Sequence, residues 1–245
     1  MLSNIWNFFL YQPLLNALAF LISIIPGGDV GIAVIILTIL VKLVLFPLSQ
    51  KSIESQVEMN ILAPEIEKIK KGGASKEEQA RLTFDLYKKH NTNPFSGCLL
   101  VFIQIPIIFA LYYVFYKGIH FDGGLLYSFV HIPAHMNMLF LGILDIGGKS
   151  IFLAVLAGIS QFLQAYFMPQ PPIASVSSAD SSKSFQASLS KSMNTQMKYV
   201  FPFLITWIAY RISGAVALYW ITSNLFMVGQ QIYVKREKEF KIVIK

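Results

Sequence analysis

The sequence predicts an all-α membrane protein: five transmembrane helices, a cytoplasmic helical hairpin and an N-terminal interfacial helix. Three observations carry this. The 245 residues are 55% hydrophobic, with a mean hydropathy of +0.57, and only 13% are charged; a soluble domain holds about 25% charged residues. Four apolar stretches reach the roughly 20 residues that cross a bilayer, and the last is long enough for a pair of helices. The Lys and Arg residues are segregated along the chain, which fixes an orientation.

Residues 1–25, beginning MLSNIWNFFLYQPLLNALAF, lack the basic start and small-residue cleavage site of a secretory signal. They read as a helix over 3–24 with a kink near Pro13. Asn4, Asn7 and Tyr11 share one face before the kink, and Gln12, Asn16 and Ser23 share another after it, as in an amphipathic helix lying in the interface. A sixth span is the alternative. PGGD at 26–29 is a turn.

The core of five spans covers residues 30–234. The first span is placed at about 30–48, ending at Pro47, and the second at 96–116. The third is placed at 150–168. The apolar region 199–229 would be about 46 Å long as one helix, well beyond the ~30 Å hydrocarbon core. The polar turn Arg211-Ile212-Ser213-Gly214 divides it, giving helices at about 196–210 and 214–234. The apolar stretch 138–144 is too short to span.

Between the first two spans, residues 50–92 form a charged helical hairpin broken at Gly72-Gly73. Pro64 kinks or restarts its first helix. Ser75 and Glu78 make a capping box for the second, and Glu77–Arg81, Arg81–Asp85 and Asp85–Lys89 are opposite charges at i,i+4. The charge pattern fits a solvated face and a docking surface equally. Residues 169–195, rich in Ser and Pro, read as a flexible cytoplasmic loop, and 235–245 as a basic tail.

Eight Lys and Arg residues fall in 49–92, three in 169–198 and five from Lys235 onward; the other side holds only Lys117, Lys149 and Arg211. The positive-inside rule then places the N-terminus outside and the C-terminus in the cytoplasm of a plasma membrane protein.

Little in the chain suggests covalent chemistry. Cys98 is the only cysteine, so no internal disulfide forms. His90, His120, His131 and His135 make no metal motif; Pro133 stands between the i,i+4 pair. No glycine-rich phosphate loop, nucleophile elbow or carboxylate pair lies in a span. The expectation is a protein that is not an enzyme and needs no cofactor or metal. The spans do carry Thr38 and Lys42, Gln104, then Ser160, Gln161 and Gln164, and last Thr222, Ser223, Asn224, Gln230 and Gln231. Ser, Thr and Gln commonly tie helices together, and the last two glutamines are placed at the interface. Lys42 stands out, because a central lysine costs about 2.5–3.5 kcal/mol to insert. It either snorkels to the cytoplasmic surface or faces a polar cavity inside the bundle.

Four stretches together resemble the YidC family of membrane protein insertases: IILTILVKLVLFPLSQKS at 35–52, NPFSGCLLVFIQIPIIFALYYVF at 93–115, ISQFLQAYFMP at 159–169 and SGAVALYWITSNLFMVGQQ at 213–231. The resemblance runs from about residue 4 to 235. It implies a hydrophilic groove open to the cytoplasm and to lipid and closed outside. Lys42 falls on the family's positive residue, usually arginine, and Thr38 on a groove position one turn before. Gln164, with Gln161 as the alternative, resembles the groove glutamine and is expected, with Trp220, opposite Lys42. Tyr219 and Trp220 match an aromatic pair, and Ile108 a contact to the passing segment. Gln104 completes the candidate groove. Ile212 and Leu100 stand where the family commonly has proline, the large extracytoplasmic domain of some members is absent, and the basic tail is short.

The resemblance implies an insertase that takes nascent membrane proteins into the groove, passes their spans to lipid between the third and fifth helices, and assists folding. It implies contacts of the hairpin and tail with the ribosome, the signal recognition system and the Sec translocon, and with no specific nucleic-acid sequence. A small multi-span transporter or channel subunit is the alternative.

Overall fold

The computed structural model describes residues 6–93, 96–116, 124–168 and 196–243. The Ser- and Pro-rich segment 169–195, Asn4, Lys117 and His120 lie outside the described residues. The chain is mostly helical. A π-helical turn, Asn7–Tyr11, leads into α1 (Gln12–Ile24), with Pro13 in the first turn, where its missing N–H is harmless. After a short 3₁₀ turn, Pro26–Gly28, come α2 (Val30–Val44) and α3 (Phe46–Ile61). The hairpin follows as α4 (Ala63–Lys71) and α5 (Lys76–Lys89). Then come α6 (Ser96–Tyr116), α7 (Ile151–Phe167), α8 (Phe201–Arg211), preceded by a π-helical turn Gln196–Val200, and α9 (Gly214–Val243).

Three boundaries differ from the sequence-based expectation. The helix that begins at Val30 ends at Val44, not near residue 48, because the chain bends by 65° between α2 and α3. Pro47 sits in the first turn of α3, so the proline starts the second helix rather than stopping the first. The basic tail from Lys235 continues α9 as helix to Val243; no Gly or Pro after Gly229 interrupts it. The stretch 138–144 contributes to a two-stranded antiparallel ribbon, β1 (Leu139–Phe140) and β2 (Leu144–Asp145), with Leu141 and Gly142 at positive φ in its turn. Among the described residues the fold is therefore helical with one small ribbon.

The main core gathers buried residues from α1, α2, α6, α7, α8 and α9, including Leu18, Val34, Ala110, Ala157, Ala209 and Val216. α7 packs against both α8 and α9, and α9 also packs against α2 and α3. Gly158 lets α7 approach α8: a Cβ there would collide with the Thr206 hydroxyl. A second cluster, Ile53 and Val57 of α3 with Met227 and Val234 of α9, holds the base of the bundle.

The loop 124–149 staples one end of this bundle. Asp29 is 7% exposed. One carboxylate oxygen accepts from the Ile32 N–H at 3.0 Å and caps α2; the other accepts from the Leu141 N–H at 2.8 Å. The Val30 N–H donates to the Asn137 carbonyl, and the Gly214 and Ala215 N–H groups at the start of α9 donate to Gly148 and Ile146. Asn16 of α1 donates to the Leu125 carbonyl at 3.0 Å and accepts from the Tyr127 N–H at 2.6 Å, while Gln12 donates to Leu125. Gln12 and Asn16, expected to face lipid headgroups, are instead committed to this loop. The continuous helix 7–24 is long and apolar enough to cross a membrane by length and composition, and Phe8, Phe9, Phe20 and Ile24 are its large exposed apolar side chains.

In the hairpin, Ser75 Oγ accepts from the Glu78 N–H at 3.2 Å, and Arg81 lies 4.0 Å from Asp85. α4 restarts after Leu62, with Pro64 in its first turn.

Because both oxygens of buried Asp29 hold backbone donors, Asp29→Ala should cost about 1–3 kcal/mol. Asp29→Asn, which keeps one acceptor, should cost less. Thermal unfolding in detergent measures the order.

Candidate functional site

Lys42 lies in the last turn of α2, just before the 65° bend. It is 8% exposed. Its Nζ donates to Gln104 Oε1 of α6 at 3.0 Å, and Gln104 Nε2 in turn donates to the Tyr219 hydroxyl of α9. Three residues distant in sequence thus form one chain of hydrogen bonds joining α2, α6 and α9. A snorkelling lysine would lie extended on the bundle surface. Lys42 is folded inward and held.

The electrostatics of this arrangement are incomplete. Burying an ammonium carries an effective penalty of several kcal/mol, and a hydrogen bond to a charged group returns about 1.5–3 kcal/mol. Gln104 engages one of three N–H donors. Among the described residues no carboxylate pairs with Lys42. The site therefore keeps a cation that is oriented by a neutral amide and not neutralised by it.

Thr38, one turn before, is 2% exposed and donates to the Val34 carbonyl at 2.6 Å, so its hydroxyl is occupied by its own helix. Tyr219 and Trp220 are buried, and Ile108 is half-buried. Gln161 and Gln164 belong to a second set of hydrogen bonds: Gln161 Nε2 donates to Gln164 Oε1 at 3.0 Å, and Asn224 Nδ2 of α9 donates to Ser160 Oγ at 3.1 Å and Gln161 Oε1 at 3.3 Å. The structure thus brings Lys42, Gln104 and Tyr219 together in one network, and Gln161 and Gln164 in another.

A third polar tie lies at the bend. Ser49 Oγ donates to Gln230 Oε1 at 2.9 Å, and Gln230 Nε2 donates to the Phe46 carbonyl at 3.2 Å. Gln230 and Gln231 are 4% and 3% exposed. Both side chains, expected at the membrane interface, are thus buried within the bundle, and Gln230 braces the kink that follows Lys42. Its polarity was legible in the sequence, but its partner, 181 residues away, was not.

The family model described as 60Kd inner membrane protein matches residues 21–241. The membrane protein insertase YidC of Fusobacterium nucleatum is 35% identical over 235 residues, covering 94% of this chain and 98% of that protein. The chain belongs to the YidC family. The YidC of Clostridium tetani is 34% identical over 222 residues, covering 89% of this chain and 87% of that one. That of Magnetococcus marinus is 30% identical over 235 residues, 96% of this chain but 37% of the longer relative. Family membership and the apolar helices make this a membrane protein. The YidC resemblance read from the four stretches is thereby established, and Lys42, Gln104, Gln161, Gln164, Tyr219 and Trp220 all lie within the matched region.

Gln104 is the link between a buried ammonium and a buried phenol. Gln104→Leu leaves both without that partner and should lower stability by about 1–3 kcal/mol, read as a fall in Tm in detergent.

Proposed function

We propose that this chain is a membrane protein insertase. It accepts nascent membrane proteins in a hydrophilic groove built on Lys42 and releases their spans into lipid, without covalent chemistry or a cofactor. The observation that carries the reading is the buried Lys42 ammonium, held by a neutral amide in a chain of the YidC family. An acidic residue on an incoming extracytoplasmic tail supplies the missing anion.

The magnitude suits transient use. Two unit charges 4 Å apart attract by about 4 kcal/mol at an effective dielectric of 20, and by about 1 kcal/mol in bulk water. Desolvation offsets part of that gain. A hydrated groove at this depth holds an acidic tail long enough to shorten its path through hydrocarbon and then lets it go. The hydrophobicity of the substrate's own span drives the rest. Thr38, Gln161, Gln164, Trp220 and Ile108 complete the surface along which the chain passes between α7 and α9. The segregation of Lys and Arg supports five spans in the plasma membrane, with the N-terminus outside and the C-terminus in the cytoplasm. The same groove assists folding of the inserted proteins. The α4–α5 hairpin and the basic end of α9 are the surfaces proposed for the ribosome, the signal recognition system and the Sec translocon.

In a strain depleted of its own insertase, Lys42→Glu should abolish insertion of a short protein with an acidic tail, while Lys42→Arg retains it. Gln104→Glu is the sharper variant, because it gives Lys42 a permanent counter-ion. Insertion should fall at least tenfold while Tm does not fall. Normal insertion by Lys42→Glu would refute the groove. Deleting residues 53–90 should leave a folded membrane protein that no longer complements; full complementation would show the hairpin to be dispensable.

A further inference from the structure

α7 and α9 pack along one another, and the hydrogen bonds described between them lie at one level. There Asn224, 8% exposed, sends its Nδ2 to Ser160 Oγ at 3.1 Å and Gln161 Oε1 at 3.3 Å. Asn224 lies ten residues into α9 and Ser160 nine residues into α7, so both sit about 14–15 Å from the starts of their helices. Those starts are at the same end of the bundle, tied there to the loop 124–149. The tie therefore falls about midway through a ~30 Å hydrocarbon core.

Its chemistry is asymmetric. On α7 every partner of Asn224 has a second bond within its own helix: Ser160 Oγ donates to the Ala157 carbonyl at 2.8 Å, and Gln161 Nε2 donates to Gln164 Oε1. If α9 moves away, α7 keeps both. The Asn224 amide loses both partners, and Ser160 Oγ and Gln161 Oε1 each lose one donor. The tie of α9 to α3 is different, since Gln230 there reaches a backbone group, the Phe46 carbonyl, as well as Ser49 Oγ. The hydrogen bonds described across the interface of α7 with α9 thus run between side chains alone, and opening it breaks the two that Asn224 donates. Interhelical hydrogen bonds of this kind are weak in membranes.

We infer that Asn224 is a reversible latch between α7 and α9, closed at rest and opened by an incoming apolar span on its way to lipid. The inference rests on the insertase reading and names the contact that must break for release. Ser160 and Gln161 are the keepers, and the Gln161–Gln164 pair keeps the opened face of α7 internally bonded while the substrate passes.

The test uses the full chain in proteoliposomes with Cys98→Ser, the sole cysteine, and Ser160→Cys with Asn224→Cys. A short bis-methanethiosulfonate links the two thiols and a reductant releases them. The substrate is a single-span protein with an acidic tail. The linked form should insert at least tenfold more slowly, with the rate restored by reduction. Equal rates before and after linking overturn the latch alone. Failure of the unmodified chain to insert at all overturns the insertase reading and the latch with it. If the cysteine pair disturbs the fold, spin labels at exposed Leu163 and Leu225 carry the same test. Their separation should increase when a stalled substrate is bound, and an unchanged separation overturns the latch.

Discussion

Hydrocarbon offers no hydrogen-bond partner, so every polar side chain within a span must find one on another helix or in a wet cavity. In this protein that constraint runs through α9. Tyr219 reaches Gln104 of α6, Asn224 reaches Ser160 and Gln161 of α7, and Gln230 reaches Ser49 and the Phe46 carbonyl at the bend into α3. Tyr219 and Gln230 are about three helical turns apart and so share a face, while Asn224 points about 140° away from Tyr219. One helix therefore ties α6 and α3 on one side and α7 on the other. The start of the same helix is pinned to the loop 124–149 by the Gly214 and Ala215 N–H groups.

Lys42 takes its meaning from this frame. The bend after Val44 places it at the junction of α2 and α3, and Gln230 braces that bend. Gln104 holds the ammonium inward, and Tyr219 holds Gln104. Each support is uncharged. A carboxylate in place of Gln104 would stabilise the lysine and fill its coordination permanently. The neutral arrangement leaves the charge oriented and unspent, which a site for a transient anionic partner needs.

Much of this was legible in the sequence. Helices are observed at Ser96–Tyr116 and Ile151–Phe167, where apolar stretches were read, and the polar turn 211–214 divides the last apolar region. These elements are set by hydrophobic length and by local breakers, which a sequence displays. The bend was misplaced because Pro47 serves as well in the first turn of a new helix as at the end of an old one. The polar residues Gln12, Asn16 and Gln230 were visible but assigned to the interface, since their partners are loop or helix groups more than a hundred residues away. Lys42, Gln104 and Tyr219 were each singled out, yet no periodicity encodes their pairing across 62 and 115 residues. For Gln164 the resemblance implies a place opposite Lys42, and the structure adds a hydrogen bond accepted from Gln161, one turn away on the same helix.

The most direct measurement is site-specific photo-crosslinking from the proposed groove. A photoreactive amino acid replaces Thr38, buried one turn from Lys42, or Leu40, 48% exposed on the outside of the same helix. A ribosome-stalled membrane protein with an acidic tail is the target. The account predicts that the tail crosslinks from position 38 and not from position 40. A tail that crosslinks only from position 40, or equally from both, would contradict it.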